Sequence, residues 1–118
     1  MSKIYHIIKA QDWKEAQKVG TYAPESLKNE GFIHFSKADQ ILGVANSFYK
    51  NQNDLLILRV DPDKLKAELK IEPPLEAPMS GVLFPHLYGE LNLDAVEGSV
   101  NFTMNEDGLF ELPADLIG

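Results

Sequence analysis

Short apolar segments separated by turn residues run along the chain, and the clearest of them is Leu55–Val60 (LLILRV). A continuous apolar run of this length is typical of a buried strand. Further strands are predicted at residues 3–8, 32–35, 84–87, 95–103 and 109–112, with a brief one at Ile71. Helices are predicted at residues 12–19, 24–30, 36–49 and 61–69. Because strands and short helices mix without regular long crossovers, the pattern favours an α+β fold over a doubly wound parallel sheet.

The chain length and the spread of these segments predict a single domain over residues 1–118. We find no internal repeat or linker. The proline-rich stretch at residues 72–78 is too short to divide domains and is predicted to be a surface loop, because proline cannot donate to a strand ladder.

Composition excludes several classes of protein. The net charge is −7 and Arg59 is the only arginine, so we expect no nucleic-acid partner, which would need concentrated positive charge. The apolar runs are too short for a transmembrane helix, and the N-terminus lacks the pattern of a signal peptide. With no cysteine, the chain has no thiolate chemistry. A soluble cytoplasmic protein that does not bind membranes is the simplest interpretation.

All three histidines lie inside apolar segments, in IYHII (His6), FIHFS (His34) and FPHLY (His86). Each could be a hydrogen-bonded core or edge residue, as single buried histidines usually are. Three imidazoles with an open position would resemble a catalytic zinc site. The sequence has no HxH or HExxH pattern, so we expect no metal.

A ligand pocket without metal is the alternative interpretation. His34 and Ser36 are two residues apart on a predicted strand, so their side chains share a face. Ser36 is also predicted to cap the helix that follows, whose N-terminal N–H groups would suit an anion such as phosphate. Capping alone would equally explain this serine. Gln40, in the first turn of that helix, is expected to reach the same cleft.

The segment FPHLYG repeats the alternation with His86 and Tyr88. An imidazole, a phenol and a tight glycine can line a cleft with donors and an aromatic face, although Tyr88 could equally pack in the core. Glu72 ends a strand just before the proline-rich loop. Its carboxylate could orient a histidine or accept a ribose hydroxyl, or it could simply be a solvated strand end.

Three motifs together resemble one bacterial family, the domain of unknown function numbered 952. They are GFIHFS with Gln40, DLLILRVD, and FPHLYG followed by LNLDAV. IYHI, Trp13 and the segment at residues 26–31 agree with the same family, so the resemblance covers nearly the whole chain. The family in turn resembles ADP-ribosyltransferases, which implies a split mixed or antiparallel β-sheet with short helices packed around it and a cleft that holds NAD.

This resemblance implies roles for several residues. His6 corresponds to a first-strand histidine that contacts the NAD ribose, and His34 stands where a tyrosine stacks on nicotinamide. Active transferases use a glutamate on a late strand. Glu90 lies near the expected region, whereas Glu72 matches a family position better but falls on an earlier strand.

Three classes of function follow. The chain could bind a nucleotide or anion without catalysis, in a cleft lined by His34, Ser36 and His86, with His6, Gln40 and Tyr88 as further ligand contacts. It could be an enzyme related to NAD-dependent transferases, in which His34 and His86 act as acid, base or orienting groups and Glu72 holds an imidazole tautomer or a ribose hydroxyl. It could also be a scaffold protein without a ligand. We expect that no cofactor is required, and NAD or a related nucleotide is a candidate ligand.

Overall fold

The fold is seen in a computed structural model that describes residues 2–74 and 79–113. The strands in chain order are β1 Ile4–Lys9, β2 Thr21–Tyr22, β3 Ile33–His34, β4 Leu55–Val60, β5 Glu68–Glu72, β6 Phe84–Tyr88, β7 Leu91–Asn92 and β8 Val96–Phe102. The helices are α1 Ala10–Val19, α2 Glu25–Asn29 and α3 Ile41–Phe48, with single 3₁₀ turns at Pro62–Lys64 and Leu93–Ala95. Short helices and antiparallel strands confirm the predicted α+β class.

The strands form two three-stranded antiparallel sheets and one small pair. The first sheet has the order β1-β4-β8, the second has the order β3-β6-β5, and β2 pairs with β7. The two larger sheets meet where the backbones of Tyr5 and Ser36 exchange two hydrogen bonds, each of 2.8 Å. This bridge positions β3, and therefore His34, against the first strand of the chain.

Strand β4 is central to the first sheet, and its apolar side chains alternate between two core clusters. Leu58 and Val60 pack in the cluster under the second sheet, which also holds Ile33 and Leu87. Leu55 and Ile57 pack in the cluster on the opposite face, with Ile41 and other residues of α3 and β8. Burial on both faces explains why this strand reads as a continuous apolar run.

Helix α1 ends as the sequence predicts. Gly20 adopts a φ of 98° and its N–H donates to the carbonyl of Ala16 at 2.8 Å. A residue with a Cβ would be strained at this left-handed position, so glycine sets the end of the helix.

Two predicted helices differ from the structure. The helix predicted from Ser36 begins at Ile41, because the backbone of Ser36 is engaged by Tyr5 and cannot start a helix. Phe48, the last residue of this helix, is 65% exposed. The helix predicted at residues 61–69 is one 3₁₀ turn, capped by the Asp61 carboxylate, and the chain then enters β5. Pairing with β6 outweighs the local helical pattern.

Two further predictions concern the last strand and the proline-rich loop. The strand predicted at residues 109–112 is a single bridge between Met104 and Phe110. Residues 75–78 of the predicted proline-rich loop lie outside the described residues.

Candidate functional site

Strand β6 carries two of the predicted site residues, His86 and Tyr88, and its pairing with β3 brings a third, His34, to the same face of the second sheet. Its side chains alternate, so that Leu87 enters the core while His86 and Tyr88 lie on the other face. His86 pairs directly with His34 of β3 on one side and with Lys70 of β5 on the other. Directly opposed residues share a face of a sheet, so these three side chains form a row.

A stack of two rings lies at the centre of this face. The Phe32 ring is parallel to the His86 imidazole, with centroids 4.0 Å apart and 14° between planes. Both side chains are almost fully buried, with Phe32 1% and His86 2% exposed. The His34 ring meets both edge-on, with centroids 5.6 Å from His86 and 4.8 Å from Phe32, and half of its side chain is exposed. His34 is therefore the solvent-facing edge of a buried ring cluster.

Glu72 forms hydrogen bonds to both His86 and Tyr88. Its Oε1 accepts a hydrogen bond from Nδ1 of His86 at 2.9 Å and another from the hydroxyl of Tyr88. The Tyr88 hydrogen bond, followed by that of His86, lowers the pKa of Glu72, and the same contact with Glu72 raises the pKa of Tyr88. Because an ionised carboxylate only accepts, Nδ1 of His86 carries the proton that is donated to Glu72.

Lys70 completes the group. Its ammonium nitrogen lies 4.7 Å from the centroid of the Tyr88 ring. We call Phe32, His34, Lys70, Glu72, His86 and Tyr88 the histidine face.

Glu30 contacts the exposed end of the histidine face. It follows α2, and its carboxylate lies within hydrogen-bond reach of Nε2 of His34, four residues further along the chain. The intervening Gly31 has a φ of 88°, a conformation that lets the chain turn from the helix into β3. The carboxylate can therefore orient the His34 ring from the solvent side.

His6 contacts the histidine face through the backbone of His34. It is buried in β1, where its Nδ1–H donates to the backbone carbonyl of His34 at 2.6 Å and its Nε2 accepts from the Tyr22 hydroxyl at 3.2 Å. Burial lowers the pKa of His6 to about 4, so the ring is neutral at pH 7. Both nitrogens are engaged, and the ring supports β3 through its backbone.

Ser36 and Gln40 lie in the segment of chain that connects β3 to α3. Ser36 is buried at the bridge to Tyr5, whereas half of the His34 side chain is exposed. The predicted capping role of Ser36 is wrong, since α3 starts at Ile41. Gln40 donates to the carbonyl of Leu83 at 2.8 Å and accepts from the N–H of Lys37, which ties the start of α3 to the chain entering β6.

Two further candidate sites are a surface depression beside Glu90 and a metal centre. An open depression of about 470 Å³ is lined by Gly20, Thr21, Lys66, Ala67, Glu90 and Asn92. Glu90 therefore lines a different surface from Glu72, which bonds to His86. Across residues 2–74 and 79–113, no group of three or more His, Asp or Glu side chains is placed to hold a metal ion, so the three-histidine zinc alternative is not formed there.

In the part of the chain that the structure describes, no helix is both long and apolar enough to cross a membrane.

Sequence reasoning missed three residues of this region: Phe32, Lys70 and Glu30. The four-residue spacing between Glu30 and His34 could have suggested their contact. The alternation of Glu68, Lys70 and Glu72 could have placed them on one face, had the residues around Ile71 been predicted as a full strand.

Two solved structures of protein CC0527 from Caulobacter crescentus are similar to this chain. The crystal structure is 30% identical with a TM-score of 0.80, and covers 94% of this chain and 95% of that chain. The solution NMR structure is 29% identical with a TM-score of 0.75, covering 98% and 97% respectively. No curated protein matches the chain. The model of one family, described as "Protein of unknown function (DUF952)", matches residues 7–99, and the chain belongs to that family.

Proposed function

We propose that this protein binds a small ligand with a flat ring and hydroxyl groups, such as the nucleoside part of NAD, at the histidine face. The observation that carries the proposal is the half-exposed His34 ring, which meets the buried Phe32–His86 stack edge-on. A ring fixed in this way offers a surface for stacking at small entropic cost, because its neighbours already hold it.

Polar groups beside the rings suit a ribose. The carboxylates of Glu30 and Glu72 lie at the two histidines and can accept hydrogen bonds from hydroxyl groups. A phosphate at Ser36 has less support, because the helix that would have offered its N–H groups begins five residues later, at Ile41. The proposal therefore concerns the nucleoside part of a nucleotide.

The finer fold assignment, a split sheet like that of ADP-ribosyltransferases, is part of this proposal. It is supported by the bridge between Tyr5 and Ser36, which joins two three-stranded antiparallel sheets at one point. A transferase activity would use Glu72, whose lowered pKa keeps it ionised at neutral pH. In that case the carboxylate would stabilise positive charge that develops on the ribose.

An NMR titration with NAD and with ADP-ribose tests the proposal through the imidazole signals of the three histidines. We expect both His34 and His86 to shift and His6 to stay in place. His34→Ala should abolish the shifts of His86 while leaving the fold intact, since the side chain is exposed. Lys14→Ala, on the exposed surface of α1, is the matched control and should bind like the wild type.

The same samples separate the alternatives. Free nicotinamide appearing in the NAD sample, and not after Glu72→Gln, would assign a transferase or hydrolase activity. Binding without turnover would assign a binding protein. Unmoved histidine signals at millimolar concentrations of both ligands would overturn the proposal and favour a scaffold role.

A further inference from the structure

The aromatic ring of Tyr88 already has a cation on its face. The ammonium of Lys70 lies 4.7 Å from the ring centroid, within the range in which a cation is attracted to the electrons of an aromatic ring. Lys70 projects from β5, and about half of its side chain is exposed. Its contact with the ring is therefore held only by local attraction and can be exchanged with solvent.

Acidic groups surround this contact. Glu68 is paired directly with Tyr88 across the two strands, and its carboxylate lies 4.0 Å from the Lys70 ammonium. Glu72 bonds to the hydroxyl end of the same tyrosine. With Glu30 at His34, the residues that the structure describes place three carboxylates and the ammonium of Lys70 in this region. A cation is favoured in such a field.

We propose that the Tyr88 ring, flanked by Glu68 and Glu72, recognises a small organic cation, and that Lys70 occupies the place of this cation in the free protein. The inference rests on the proposed function, because it specifies which part of a ligand contacts the histidine face. A ligand that carries a positively charged flat ring would displace the ammonium of Lys70, take its place over Tyr88, and leave its hydroxyl groups to the carboxylates.

The sign of the Lys70 contribution makes the proposal testable. If Lys70 contacts an anionic ligand, removing its charge weakens binding. If Lys70 competes with a cationic ligand, removing its charge strengthens binding. Lys70→Met keeps an unbranched side chain of similar length on the edge strand β5 and removes the ammonium group. Lys14→Met is the matched control with the same change in net charge on α1.

The probes are 1-methylnicotinamide, a fixed cation, and nicotinamide, its neutral counterpart. Binding of each is measured by NMR titration of the wild type and the two variants. We expect the wild type to prefer the cation, and Lys70→Met to raise the affinity for the cation by roughly threefold to tenfold while leaving that for nicotinamide unchanged. The preference should shrink at high salt, as screening weakens the field of the carboxylates. Lys14→Met should behave as the wild type.

Two results would overturn the inference while leaving the proposed function standing: equal binding of the two probes, or weaker binding of the cation by Lys70→Met. If neither probe moves any signal of Tyr88 or His34, and NAD also fails to do so, both proposals fall together. If NAD binds but neither probe does, only the cation proposal falls.

Discussion

Glu72 and His86 lie on adjacent antiparallel strands, and Oε1 of Glu72 accepts a hydrogen bond of 2.9 Å from Nδ1 of His86. The same oxygen accepts from the hydroxyl of Tyr88. One carboxylate therefore sets both the proton position of a buried imidazole and the direction of a partly exposed phenol. This arrangement couples the imidazole of His86 to the phenol of Tyr88 through a single carboxylate oxygen.

Replacing Glu72 by Gln should lower the pKa of Tyr88. In the wild type, ionising Tyr88 would lose its hydrogen bond to Glu72 and place a second negative charge beside that carboxylate, and both effects raise the tyrosine pKa. The titration of Tyr88 can be followed by carbon NMR of its labelled ring. Glu68→Gln is the control, because Glu68 acts on Tyr88 only through its charge, and we expect a smaller fall. An unchanged pKa in Glu72→Gln would contradict the arrangement.

His6 should make the fold less stable in mild acid. The pKa of His6 is about 4 in the folded protein, against an ordinary value of 6.5. Between these two pH values the unfolded chain is protonated at His6, whereas the folded chain is not. The free energy of unfolding should therefore fall as the pH drops from about 6.5 towards 4, by on the order of 3 kcal/mol from this group.

The contribution of His6 can be isolated by a comparison with His6→Gln. Urea unfolding of both proteins at a series of pH values would give the difference between their free energies of unfolding. This difference should narrow or reverse between pH 6.5 and 4, since glutamine does not titrate, and should stay constant above this range. Parallel stability curves for the two proteins would show that His6 can be protonated in the fold.

Phe32 should both stabilise the fold and hold the His86 ring in a fixed orientation. It is 1% exposed and stacks on the imidazole, so Phe32→Ala should cost about 3–5 kcal/mol of unfolding free energy. The milder change Phe32→Leu should keep the fold but remove the ring-current shift from the His86 signals. Phe102→Leu, in the other core cluster, should destabilise the protein without moving those signals. Equal effects of both leucine variants on His86 would argue against the stack.

Gly89 should tolerate no larger residue, because a Cβ built on it lies 2.6 Å from the Cβ of Ala67. The close approach occurs next to the pairing of β5 with β6, so Gly89→Ala should force the strands apart and cost about 1–3 kcal/mol. Ala67→Gly removes the opposing atom and should restore most of the loss in the double variant. A double variant as unstable as Gly89→Ala alone would place the cost elsewhere.

Local patterns in the sequence predicted the elements whose cause is local. The apolar run of β4 and the end of α1 at Gly20 follow from burial and backbone conformation alone, and both are found as expected. The family resemblance, carried by residues spread over most of the chain, is confirmed by the match over residues 7–99. The alternation in FPHLY also placed His86 and Tyr88 on one face correctly.

Tertiary pairing decided the rest. The residues around Ser36 predict that it caps a helix. Its backbone instead hydrogen-bonds to Tyr5, more than thirty residues earlier in the chain, and the helix begins at Ile41. His6, His34 and His86 read alike in the sequence, since each is an imidazole within an apolar run. The register of β6 with its two neighbours separates them, placing His86 and His34 side by side, while His6 is buried beneath the backbone of β3. Which strands pair, and in which register, depends on contacts between distant residues, and those contacts set the surroundings of each imidazole.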